Sequence, residues 1–176
     1  MGAIAAGYDG GDCATIDTTG GITLIKIGNR LDVDTITRDA DGDISTVVFK
    51  ASKAWFDLKG FEVNATNLSE TQNGDSAWWT QNLQVTILGR NKTLKKFIVD
   101  CVNTNNCGLI LAGKEANGNK FAMGFSPVDN KSPAKARCLN NAGNTNNGGE
   151  NNEKSTEVLN FQCVDIGKAP HAAFIT

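Results

Sequence analysis

The chain reads as mainly β: a β-barrel or two-sheet sandwich with one α-helix packed alongside. Three observations predict this. Apolar and polar residues alternate in short runs, as where Leu83, Val85 and Ile87 interleave with Gln84 and Thr86, the period-two signature of a half-buried strand. Turn-forming residues divide those runs: 19 glycines and about twenty asparagines stand against three prolines. Helical periodicity is clear in one stretch, about 92–102, where Leu94, Phe97, Ile98, Cys101 and Val102 fall at i, i+3, i+4, i+7 and i+8.

Taken in order, residues 1–21 are rich in Gly, Ala, Thr and Asp and read as an extended N-terminal arm. Residues 22–176 form a single β-rich domain. Ile22–Ile27 is its first strand, and a second runs through Leu31, Val33 and Thr35, with Asp32 and Asp34 together on its other face. Asp41-Gly42 turns the chain into a strand over Ile44–Lys50, because the pair supplies the positive φ angles of a tight hairpin. Trp55–Lys59 and Phe61–Val63 read as strand broken at Gly60, and 64–75 as polar turn.

A long strand follows over Trp79–Gly89, then the helix. Asn91 is its expected N-cap, since its side chain can accept from a free amide of the first turn, and Asn105, Asn106 and Gly108 end it. Lys95 and Lys96 point outward, Phe97 and Ile98 inward. Leu109–Gly113 and Asn119–Phe125 flank Asn117-Gly118, a strong hairpin signal. Residues 126–154 are polar, with a mobile loop expected at about 140–154, before a last strand over Val158–Val164. The tail 169–176 is read as adding an edge strand.

Composition narrows the function. At 176 residues the chain is long enough for one domain with a real core. A net charge of −2 gives no basic footprint for dedicated nucleic-acid binding. The charge is uneven, however: 1–88 carries six basic and twelve acidic residues, 89–176 eleven and seven. Oppositely charged surfaces suit head-to-tail stacking of identical subunits, although halves of a sequence need not be halves of a surface. No stretch is as long and apolar as a transmembrane helix, and no leader pattern is read at the N-terminus.

Candidate chemistry is sparse. The five cysteines (Cys13, Cys101, Cys107, Cys138, Cys163) form no CxxC pair; Cys101 and Cys163 fall on apolar faces and read as reduced, buried thiols. Asp39-Ala40-Asp41-Gly42-Asp43 looks like the start of a calcium loop, but the sixth and twelfth positions from Asp39 are Ile44 and Lys50 instead of Gly and Glu. A solvated turn explains it better. His171, the single histidine, lies in the tail and is a poor partner for a cysteine nucleophile. Ser126 lacks the second glycine of a nucleophile elbow. No catalytic residue, metal site or cofactor is assigned, and the chain is expected not to be an enzyme.

Trp55, Trp78 and Trp79 are the candidate interface residues. Adjacent positions of a strand point to opposite faces, so one of Trp78 and Trp79 is expected in the core and the other at a subunit contact, where Trp is enriched. An exposed indole also stacks on a pyranose ring, so a carbohydrate-binding β-sandwich stays open as an alternative.

The order of elements in 77–176 resembles phage tail-tube and related virion ring proteins: the strand Trp79–Gly89, the helix Thr93–Val102, the glycine-punctuated hairpin Leu109–Phe125, an Asn/Gly-rich segment and the strand Val158–Val164. Residues 1–76 fit that pattern loosely, as an arm plus an added hairpin. The resemblance implies a β-barrel or sandwich with one helix, assembled into rings, commonly six-fold, whose paired strands line a channel for DNA. Asp32, Asp34, Asp39, Asp41 and Asp43 would suit a channel wall or loop that does not grip DNA, because like charges repel phosphates. The resemblance further implies a homo-oligomer in contact with other virion proteins, DNA passing without specific binding, no membrane, synthesis in the cytoplasm of a host bacterium and residence in the virion. A capsid decoration or head-completion protein is the close alternative.

Overall fold

A computed structural model of the chain describes residues 21–89, 91–125, 136–139 and 156–176. The expected arm over residues 1–20 and the loop at 140–154 lie outside them. The strands are β1 (Ile22–Asn29), β2 (Val33–Arg38), β3 (Ile44–Phe49), β4 (Phe56–Leu58), β5 (Asn67–Gln72), β6 (Trp78–Leu88), β7 (Leu109–Glu115), β8 (Lys120–Met123), β9 (Arg137–Leu139) and β10 (Thr156–Ile166); α1 spans Lys92–Asn103. Two four-stranded antiparallel sheets form, in the orders β4-β1-β7-β8 and β5-β6-β10-β9, and β2 pairs with β3 alone. Mainly β with one packed helix is therefore the observed class. The described strands make a sandwich; they do not close into a barrel.

Two apolar cores lie on the two faces of the first sheet. On one face, Ile25 and Ile27 of β1 and Leu109 and Leu111 of β7 meet Leu83 and Val85 of β6, Leu159 and Phe161 of β10, and Leu94, Phe97 and Cys101 of α1. On the other face, Ile110, Ala112 and Ala122 are covered by Ile44, by Val33 and Phe49 of the hairpin, by Phe125 and by Ala172 and Ile175 of the tail. The unbroken apolar run Leu109-Ile110-Leu111-Ala112 follows from that position: a strand buried on both faces cannot alternate, and all four residues are fully buried.

Close packing shows at Gly113, opposite Phe121 in the β7–β8 ladder; a Cβ there would lie 2.5 Å from the Phe121 ring and 2.8 Å from the Leu24 carbonyl. The β7–β8 turn behaves as its sequence predicts. Gly118 has φ 93°, and the Asn117 side chain accepts from the Asn119 amide at 2.9 Å.

The helix closes one side of the first core. Asn91 Oδ1 accepts from the Leu94 amide at 2.8 Å, the expected cap, and Leu94, Phe97, Ile98 and Cys101 are buried. A short 3-10 turn, Thr104–Asn106, then carries the chain to Gly108 at φ 84°.

Several expectations need correction. Arg30–Asp32 is a 3-10 turn, and the β2–β3 register shifts between Val33 and Thr35, so Asp32 and Asp34 do not share a strand face. The polar stretch 64–75 holds an edge strand, β5; it shows no apolar alternation because, of Leu68, Glu70 and Gln72 between Asn67, Ser69 and Thr71, Leu68 alone is apolar. Past β4, Phe61 makes a single bridge to Ile87, and Val63–Ala65 is another 3-10 turn. The tail adds one parallel bridge, Ile44 to Ala172, and otherwise works as a cover.

Candidate functional site

The three tryptophans part company in the fold. Trp55 belongs to the second core, stacked on Phe174 at 5.7 Å between centroids and edge-on to Phe49 at 5.2 Å. Its ring is thus engaged within the chain. Trp79 turns toward the inner side of its sheet, half-buried, with Lys168 Nζ 5.1 Å from its ring centroid, a cation–π contact. Trp78 points to the opposite face and is 48% exposed, so only Trp78 presents an open indole.

Trp78 lies on the outer face of the β5-β6-β10 surface. Directly across from it on β10 is Ile166, and Val164 faces Thr80. Val164 is 50% exposed and Ile166 40%, so with Trp78 they form an apolar patch at one end of the sheet. Toward the other end the surface is amide-rich: Gln162 Nε2 donates across the ladder to Asn82 Oδ1 at 3.0 Å. The outward positions are 67, 69 and 71 on β5, the even positions 78–88 on β6 and the even positions 156–166 on β10; none of these fifteen is Asp, Glu, Lys or Arg. Single-residue reading missed this face, because it emerges only when the three strands are laid in register.

The five aspartates gather on the β2–β3 hairpin and its entry. Asp39 Oδ1 accepts from the amides of Asp41 (3.0 Å) and Asp43 (2.9 Å), and Gly42 has φ 89°, so the tip is a self-contained turn. Asp43 faces His171 Nδ1 at 3.3 Å, and Asp32 faces Lys53 at 3.7 Å and accepts from Asn29 Nδ2 at 3.0 Å. Asp34, Asp39 and Asp41 are exposed. On a different element, α1 presents Lys92, Lys95 and Lys96 to solvent, with Val99 55% exposed beside them. The sign difference between the halves of the chain is therefore partly a difference between two surfaces.

The interior polar groups are fewer. Cys101 and Cys138 are buried and hydrogen-bonded through their thiols, which with burial raises the Cys101 pKa well above the ordinary value. Asn105, one turn beyond Cys101, clasps the Cys138 backbone twice: Nδ2 donates to its carbonyl and Oδ1 accepts its amide, both at 2.8 Å. Cys163 is pushed from 9.0 up to about 12, chiefly by burial and then by the charge of Asp165. Asp165 and Gln81 are buried; Asp165 Oδ1 accepts the Ile166 amide at 2.7 Å, while Asp165 Oδ2 and Gln81 Oε1 have no partner among the described residues. Among those residues no group of three or more His, Cys, Asp or Glu comes together to hold a metal ion, and no helix is long and apolar enough to cross a membrane.

Fold and surface together define a mainly β sandwich whose distinctive surface features are a face on β5, β6 and β10 that carries no charged residue, an acidic hairpin and a lysine-bearing helix. Comparison with protein-family models, with curated proteins and with solved structures finds no match.

Proposed function

We propose that the chain is a non-enzymatic virion structural protein, tail-tube or ring-like, that self-assembles into rings enclosing a DNA-conducting channel. One observation carries the reading: opposite charges sit on different elements, Asp34, Asp39 and Asp41 on the hairpin and Lys92, Lys95 and Lys96 on α1. A contact between unlike surfaces of identical chains is heterologous, and it closes into a ring when the rotation per subunit divides a full turn. Aspartates left over at a channel wall repel phosphates, which favours passage over binding. The order of strand, helix and hairpin in 77–176 supports the same reading. A capsid decoration or head-completion role would use the same surfaces and differ in copy number per virion.

Electron microscopy of the purified protein at low and high salt tests the proposal. Closed rings that loosen as salt rises, and that are lost in a Lys95→Glu/Lys96→Glu variant, are the expected result. Particles that remain single subunits at every salt concentration would count against it.

A further inference from the structure

The outer face of the β5-β6-β10 surface has a composition that solvated protein surface rarely has. Surfaces carry about 25–35% charged residues, and 20% of this chain is charged. Yet all fifteen outward positions on these strands are Asn, Gln, Ser, Thr, Val, Leu, Ile or Trp. Depletion of charge together with an exposed Trp is the compositional mark of an interface centre, whereas overall apolarity is not. No described element packs over the patch: Trp78, Val164 and Ile166 are 40–50% exposed.

We infer that this face is covered by a second copy of the same chain, packed sheet face to sheet face. The inference rests on the self-assembly reading above but uses a surface distinct from the charged hairpin and helix. Two properties select that occupant. A charged partner surface would bury ions against a face that offers no countercharge, which desolvation strongly disfavours. The same face of another copy brings none, and its Asn and Gln side chains can donate and accept in either direction. The size fits a weak, reversible contact. β6 and β10 have 11 residues each and β5 has six, so at about 3.3 Å per residue and 4.8 Å per strand the patch covers on the order of 450 Å² per copy. Two copies thus bury roughly 900 Å², within the range of weak, transient interfaces. Aligned sheets pack about 10 Å apart, and Trp78, Val164 and Ile166 supply the side chains to fill that gap.

The test is light scattering on the full chain across a concentration series, with Val164→Lys and Thr80→Lys as variants. These positions face each other on adjacent strands and are solvent-accessible in the isolated subunit, so each variant should fold; a thermal melt followed by circular dichroism verifies this. The expected result is an association that each lysine weakens at least tenfold while the melt of the subunit is unchanged. If the wild-type chain associates and both variants associate equally well, this face is not the contact, although self-assembly stands. If the wild-type chain is monomeric throughout, both this inference and the self-assembly reading fall. Glycan-array binding lost in Trp78→Ala, without self-association, would overturn the inference in favour of a carbohydrate occupant.

Discussion

Each of the two sheets has an inner face in the shared core and a second face turned away from it, and those second faces have opposite fates. That of the β4-β1-β7-β8 sheet is sealed by Phe49 of the β2–β3 hairpin, by Phe174 and Ile175 of the tail, and by Trp55 and Phe125 from the segments before β4 and after β8. That of the β5-β6-β10-β9 sheet has no cover among the described elements, yet on β5, β6 and β10 it carries neither the charge of an ordinary surface nor the continuous apolar run of a sealed one. A face meant for permanent burial within the chain becomes apolar residue after residue, as in Leu109–Ala112. On the self-assembly proposed above, the second face is buried only on association and must stay soluble beforehand, which fits its amides and hydroxyls in place of ions and its apolar residues at Trp78, Val164 and Ile166.

The contrast is broken most strongly by deleting side chains from the sealed face. Phe125→Ala removes a fully buried ring and should destabilise the subunit by about 3–5 kcal/mol in urea-unfolding measurements. A loss below ~1 kcal/mol would mean that this face of the sheet is not truly sealed.

The two sides of β10 differ next. Cys163 faces the core and its neighbour Val164 faces out. Because the Cys163 pKa is raised from 9.0 to about 12, the native thiol keeps its proton where the unfolded one has lost it. The unfolded state then binds fewer protons, so stability is intact below pH 9 and falls as pH rises toward 12, by up to about 4 kcal/mol. Melting temperature against pH should therefore drop more steeply over that window in the wild-type chain than in Cys163→Ala. Parallel slopes would contradict the burial of this thiol.

Smaller effects sharpen the picture. Asn91→Ala removes the helix cap and should cost about 1 kcal/mol by the same unfolding measurement. Trp78→Ala, on the bare face, should leave subunit stability within about 0.5 kcal/mol while reducing association. A stability loss as large as that of Phe125→Ala would show that Trp78 is covered from within the chain.

Much of the fold was legible from local pattern. The helix, its Asn91 cap, the Asn117-Gly118 turn, the long β6 strand and the inward placement of Cys101 and Cys163 follow from periodicity and turn chemistry. What was not legible depends on distant pairing. β5 owes its strand conformation to β6, against which Leu68 lies opposite Leu83, and β9 is three residues held by β10 and by the Asn105 clasp. The opposed facing of Trp78 and Trp79 was readable, because alternation is a property of one strand; the use of Trp55 within the second core was not, because Phe174 is more than a hundred residues away. The charge-free face was invisible for the same reason. It belongs to three strands in register, and no single one of them looks unusual.

Sedimentation velocity of the wild-type chain over a wide concentration range tests the central claim, self-assembly, most directly. A reversible shift from the 18.7 kDa subunit to larger species as concentration rises is the expected result. A single 18.7 kDa species at every concentration would contradict it.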